Sequence, residues 1–270
     1  MLSPEISPTG RQIAFEVTPF GDNDSDIFVL DLERNQSTRL VRGESLDAQP
    51  TWSLDGDRTA FFSRLPGGQS DVYVREPNPN GESSLLLQRE GNEGPHGWSR
   101  DGEYLLFHSF SSFGHVSPTS NDVRAVRLRD GTEIAVAATA AFEADPEFSP
   151  DGAWVAYRSN LTGQPQIYVK SFPDLEQVVG LIAAGTQPRW RSDGRELYYL
   201  RPDGWLMALA VPAEADMGQF DRWGAATPLF PAIQALFYGF LPISKTCFPA
   251  ARSLSSRATP DAPWTRHRSR

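Results

Sequence analysis

One cysteine, Cys247, among 270 residues excludes an intramolecular disulfide. No apolar run approaches the length needed to cross a bilayer, so no transmembrane helix is expected. The N-terminus, Met-Leu-Ser-Pro-Glu, has neither a basic start nor an apolar core, so no signal peptide is visible. A cytoplasmic location is then the default expectation, and a periplasmic one if a segment precedes the chain. Excess basic charge is missing as well: the net charge of −9 argues against a duplex nucleic-acid partner, which calls for a basic face. Catalytic signatures are also lacking. Neither Gly-x-Ser-x-Gly nor His-Glu-x-x-His occurs, and Gly67-Gly68 leads into no helix as a phosphate loop would. Finally, no helical periodicity runs through the first 230 or so residues.

What is present is a repeat. Five segments align: Pro4-Glu-Ile-Ser-Pro-Thr-Gly10, Pro50-Thr-Trp-Ser-Leu-Asp-Gly56, Pro95-His-Gly-Trp-Ser-Arg-Asp-Gly102 (one residue longer), Pro146-Glu-Phe-Ser-Pro-Asp-Gly152 and Pro188-Arg-Trp-Arg-Ser-Asp-Gly194. Their spacing averages in the forties, the length of a four-stranded propeller blade. Ser-Pro-Asp-Gly suits a type I turn, with Ser accepting at the first position, Pro presetting φ at the second and Gly closing at the fourth. Four residues before each Gly stands a large apolar side chain, Ile6, Trp52, Trp98, Phe148 or Trp190. Five residues after it stands an aromatic, Phe15, Phe61, Phe107, Tyr157 or Tyr199. The strand carrying the second aromatic is apolar at successive positions, as when both faces of a sheet are covered. Third strands follow, such as Asp26–Leu32 and Gln166–Lys170, and then fourth strands, weakest at Pro228–Phe230.

These units resemble the TolB-like, WD-type propeller repeat, in which an aromatic followed by Ser-Pro-Asp-Gly precedes an apolar-Ala-aromatic strand and Asp-Ile-Tyr-Val. Phe148-Ser-Pro-Asp-Gly152, Val155-Ala-Tyr157 and Gln166-Ile-Tyr-Val169 are the nearest copy. The resemblance implies an all-β propeller over residues 1–232, with five clear blades opening near Pro4, Pro50, Pro95, Pro146 and Pro188. Six blades are usual in this family. It also implies a bacterial sensor or protein-binding role, often as part of a larger regulator such as a serine/threonine kinase or a transcriptional regulator, and it transfers no catalytic residue and no cofactor. The other reading is an accessory propeller of a prolyl-oligopeptidase-type serine peptidase without its catalytic domain. A third, a lyase- or lactonase-type propeller enzyme, would need metal ligands converging on the channel.

From 233 to 270 the composition turns to Ser, Pro, Ala and Arg. Two readings stay open for this stretch: a disordered basic tail, or a sixth blade degraded by a reading-frame slip. The abrupt entry at Pro4 raises the expectation of an upstream domain outside this chain.

Candidate sites follow from the repeat. Residues alternating with the inner-strand aromatics are polar and are expected to line a central channel: Ser3, Glu5, Gln49, Thr51, Asp145, Glu147, Gln187 and Arg189. A small ligand could sit there. The longest connection, Phe110 to Asn121, bears Phe110, Phe113 and His115 and is the candidate surface for a protein or peptide partner. Asp22, Asp24, Asp26 and Glu33 have the spacing of a calcium loop, but Ile27 stands where such a loop needs Gly, so a strand is expected instead. His96, His108 and His115 match no metal spacing and read as three independent histidines; no metal is expected. Trp52, Trp98 and Trp190 occupy equivalent repeat positions and read as core rather than as a stacking platform.

Overall fold

In the computed structural model, residues 4–18, 24–41, 43–78, 80–110, 121–213 and 217–232 are described. Phe113, His115, Ser3, Asp22 and the stretch 233–270 lie outside them. Among the described residues twenty strands form five separate four-stranded antiparallel sheets, each running in chain order. Blade one holds β1 (Glu5–Ile6), β2 (Gln12–Val17), β3 (Asp26–Asp31) and β4 (Gln36–Arg39). Blade two holds β5 (Leu46–Trp52), β6 (Thr59–Arg64), β7 (Ser70–Arg75) and β8 (Ser84–Leu87). Blade three holds β9 (Asn92–Trp98), β10 (Tyr104–Phe110), β11 (Asp122–Arg127) and β12 (Glu133–Ala137). Blade four holds β13 (Glu143–Phe148), β14 (Trp154–Ser159), β15 (Gln166–Ser171) and β16 (Val178–Ala184). Blade five holds β17 (Thr186–Trp190), β18 (Glu196–Leu200), β19 (Trp205–Ala210) and β20 (Ala226–Pro231). The inner strands β1, β5, β9, β13 and β17 pack successively against one another, which makes the sheets blades of a propeller.

The repeated turn is held more tightly than a Pro and a Gly alone would hold it. The backbone N–H of Gly10, Gly56, Gly102 and Gly152 donates to the carbonyl of Ser7, Ser53, Ser99 and Ser149 at 2.8–2.9 Å, and each of these glycines has φ between +70° and +80°, where a Cβ is strained. The serine hydroxyl accepts from the N–H that opens the next strand, as at Arg58 (2.9 Å), Tyr104 (2.9 Å) and Trp154 (2.9 Å). It also donates to the aspartate of the turn: Ser53 to Asp55 and Ser99 to Asp101, both at 2.5 Å. That aspartate in turn accepts from the N–H two residues on. In blade five Arg191 stands in the serine position and keeps both backbone bonds, accepting from Gly194 (2.9 Å) and donating to the Glu196 carbonyl (2.9 Å), while its guanidinium pairs with Asp193 (3.2 Å) in place of the hydroxyl bond.

Four apolar cores lie between successive blades. Trp52 and Phe61 of blade two meet Ala14, Ile27 and Val29 of blade one. Trp98 and Phe107 meet Ala60 and Val72. Phe148 and Tyr157 meet Leu106, Val123 and Ala125. Trp190, Leu197 and Tyr199 meet Trp154, Ala156 and Ile167. Both aromatics of each repeat thus face the preceding blade, and burial of each side chain contributes about 2 kcal/mol. The rule has one exception. Phe15, the counterpart of Phe61 in blade one, joins none of these cores. It stacks on Phe28 at 5.9 Å and stays half-buried. Along β2 buried and half-buried residues alternate, whereas β6, β10, β14 and β18 each carry four buried residues in a row. On blade five a fifth cluster, Tyr198, Leu200, Leu206 and Ala208, occupies the face away from blade four.

The suspected calcium loop runs into β3: Ile27 is a fully buried strand residue and Asp26 pairs with Arg39.

Candidate functional site

The inner strands do not run straight. Their pairing slips between Ala48 and Thr51, between Ala144 and Glu147, and between Thr186 and Arg189. At each slip the residue before the proline is left-handed: Gln49 (φ 52°), Asp145 (φ 54°) and Gln187 (φ 53°). A following proline disfavours helical backbone and a Cβ disfavours positive φ, so each such residue costs on the order of 1–3 kcal/mol. All three were expected to line the channel on strand alternation alone. In the structure each sits at a bulge, which re-aims a side chain at the rim of a sheet.

The expected channel residues are joined in pairs between neighbouring strands and blades. Thr51 Oγ1 donates to Glu5 Oε1 (3.3 Å). The Gln49 N–H donates to Glu16 Oε2 (3.3 Å), the Gln187 N–H to Asp145 Oδ2 (3.3 Å) and the Trp190 N–H to Glu147 Oε2 (3.3 Å). Arg158 pairs with Asp145 (3.0 Å), and Arg189 lies 3.7 Å from Glu147. The tryptophans tie the same strands from behind: Nε1 of Trp52, Trp98 and Trp190 donates to the carbonyls of Glu5 (3.0 Å), Thr51 (3.2 Å) and Glu147 (3.4 Å). Glu16 and Arg158, on second strands, were not anticipated, because their partners lie in a neighbouring strand or blade and leave no local signature. Burial pushes the Glu16 carboxyl up, against the Gln49 N–H that favours its charge.

The histidines correct the sequence reading. His96 and His108 are not independent: Nε2 of one lies 2.6 Å from Nδ1 of the other, their rings 4.7 Å apart. Burial pushes His108 down to about 4, with Asp145 opposing and Arg158 adding to the effect, so it is neutral at pH 7 and one ring donates to the other. Gly94 makes room for the pair: a Cβ there would lie 2.4 Å from Gln49 Oε1 and 2.8 Å from His108 Cε1. Phe110 is the last residue of β10 rather than part of the long connection, and its ring lies 5.0 Å from His108.

A second feature had no sequence signal. A cavity of about 530 Å³ opens on the face that carries the repeated turns, between blades four and five. Trp154, Trp190, Val211 and Met217 line it, together with Arg100, Asp151, Asp193 and Arg195. Its size suits a small ligand or a peptide side chain. It is assembled from turns about forty residues apart and the connection after β19, so no contiguous motif encodes it.

No family model matches the chain. It is 26% identical over 196 residues to the "Uncharacterized peptidase YuxL" of Bacillus subtilis, covering 60% of this chain and 30% of that protein. It is 33% identical over 169 residues to the "Protein TolB homolog" of Chlorobium luteolum, covering 63% and 36%. The chain thus spans about a third of the length of the curated relatives it matches. Among solved structures, TolB from Acinetobacter baumannii superposes with a TM-score of 0.65 at 18% identity, covering 86% of this chain and 55% of that one. An oligogalacturonate lyase in complex with manganese superposes at 0.63 (13% identity; 85% and 64%), and a prolyl endopeptidase at 0.56 (15%; 77% and 33%). Among the described residues no three His, Cys, Asp or Glu side chains gather as a metal site would need, and His96 and His108 turn a nitrogen on each other. Repeat, sheet order and superposition agree, and the chain folds as a TolB-like β-propeller.

Proposed function

We propose that this propeller is a non-catalytic binding module, a protein-interaction or ligand-sensing part of a larger regulator. The observation that carries the reading is the mutual pairing of polar side chains along the inner strands and their neighbours. Glu147 with Arg189, Asp145 with Arg158, Thr51 with Glu5 and His96 with His108 orient one another. Groups fixed in this way are preorganised for recognition by hydrogen bonds. A peptide or small ligand would meet the channel mouth, the connection after Phe110, or both.

The test is capture of partners by the tagged full chain from lysate, compared with two double variants, Glu147→Gln with Arg189→Gln and Phe113→Ala with His115→Ala, each checked for native circular dichroism. Loss of one partner in one variant locates the site. Unchanged capture in both removes both sites, and hydrolase or lyase turnover by the purified chain overturns the non-catalytic reading.

A second reading, the accessory propeller of a prolyl-oligopeptidase-type peptidase, is favoured by the identity with the YuxL peptidase. An in-frame α/β-hydrolase domain in the surrounding gene, labelled by a fluorophosphonate probe in the full-length product, would establish it.

A further inference from the structure

Three blade junctions bury an acid that the channel wall does not use. Asp47, Glu93 and Glu143 occupy one place in the repeat, five residues before Trp52, Trp98 and Phe148. They are 0%, 0% and 1% exposed. The backbone around them ties neighbouring blades together. The Asp47 N–H donates to the Ser25 carbonyl (2.8 Å) and the Glu143 N–H to the Asn121 carbonyl (3.0 Å). The Glu93 N–H donates to Ser70 Oγ (3.1 Å), which donates back to the Glu93 carbonyl (3.2 Å). In blade five the same place is Gly185, whose N–H still reaches the Pro165 carbonyl (3.0 Å). The tie therefore forms without an acid, and the three acidic side chains need a separate explanation.

Their oxygens are poorly served. Asp47 Oδ1, both Glu93 oxygens and Glu143 Oε2 are sealed from solvent and accept no hydrogen bond among the described residues. Ser45 (3.0 Å) and Ser63 serve Asp47, and Thr139 (2.5 Å) and Ser159 (3.4 Å) serve the other oxygen of Glu143. A second acid faces each group from the third strand of the preceding blade: Asp26 toward Asp47, Asp71 toward Glu93 and Asp122 toward Glu143. Glu133 of β12 adds to the field at Glu93. The nearby cations are committed elsewhere, Arg39 to Asp26 and Arg89 to Glu133 (3.4 Å). A dry carboxylate without donors beside another carboxylate is the costliest form of the group, and a proton removes that cost.

We propose that the junction between blades two and three is a proton-binding site: with the blades packed, Glu93 is held as a neutral acid, and losing the proton loosens that junction. Burial pushes Glu93 up to about 7, Arg89 opposing and Asp71 and Glu133 adding, and burial raises Asp47 and Glu143 too. An acid whose folded value lies above its unfolded one makes the folded state the better proton binder between the two. Its contribution is therefore complete below about 4.5 and is lost as pH rises through about 7.

The experiment is urea unfolding of the full chain and of Glu93→Gln between pH 5 and 8. The unfolding constant of the unsubstituted chain should rise over that range by roughly 100-fold more than that of the variant, at tenfold per pH unit of unequal proton binding. Matching pH curves would overturn the proposal, as would a Glu93→Gln chain less stable than the original at pH 8. Added sodium or calcium that removes the loss at pH 8 would also overturn it, since a cation rather than a proton would then fill the site. If the variant does not fold, the infrared band of a protonated carboxyl in the unsubstituted chain must titrate near pH 7; its absence at pH 6 would equally refute the idea.

Discussion

Replacing Trp52 by Phe separates packing from hydrogen bonding at a blade junction. The indole is 3% exposed and its Nε1 donates to the Glu5 carbonyl at 3.0 Å. Phenylalanine keeps the apolar body and removes the donor, and losing a hydrogen bond to the half-buried Glu5 carbonyl costs about 1 kcal/mol. The smaller ring also gives up contact with Ala14, Ile27 and Val29, which adds about 1–2 kcal/mol. The expected loss is therefore about 2–3 kcal/mol. Blade four has Phe148 at this position, so the fold accepts the ring and the variant should remain native. Urea unfolding followed by far-ultraviolet circular dichroism, extrapolated linearly, measures the loss without depending on tryptophan emission. A change under about 0.5 kcal/mol would refute the claim that tryptophan ties the inner strands together.

The half-buried position of Phe15 predicts unequal alanine costs: Phe61→Ala should lose about 3–5 kcal/mol and Phe15→Ala less than half of that, because Phe61 is 1% exposed and Phe15 half-buried. Equal losses would show that Phe15 is packed as its counterpart is. Gly94→Ala should cost about 1–3 kcal/mol by crowding Gln49 and His108. It should also move the His108 titration up from about 4, and an unmoved NMR titration would dissociate the glycine from the pair. In the turns, the Ser53 hydroxyl and the Asp57 N–H hold Asp55 below its ordinary value, so its contribution is present above pH 3.8 and fades as pH falls through the lower folded value. Ser53→Ala should return the Asp55 titration toward 3.8; the same midpoint in both chains would contradict the assignment.

The fold was legible because its determinants are local and repeated. A turn of four residues with an aromatic on each side specifies a hairpin, and five copies specify five blades. Legibility failed where an interaction joins residues far apart in the chain. Arg158 and Glu16 look like ordinary surface residues of a strand until a bulge turns Asp145 and the Gln49 N–H toward them. The bulges themselves were hidden, since Gln-Pro and Asp-Pro read as extended dipeptides and their positive φ comes from the pairing across the sheet.

The buried acids show the opposite failure. Asp47, Glu93 and Glu143 recur at one position and could have been aligned from the sequence. An acid at the entry to a strand, however, reads as solvated unless the neighbouring blade is known to cover it. The sequence contains the period of the repeat, and the direction in which each blade faces its neighbour comes only from packing. That direction makes Phe61 core and leaves Phe15, with the same repeat position and the same side chain, half-exposed. A repeat motif therefore predicts what a residue is shaped to do, and only its place in the row of blades decides whether it does so. The channel bulges, the histidine pair and the acids at the junctions all depend on that second piece of information, and for that reason the site was harder to read than the scaffold.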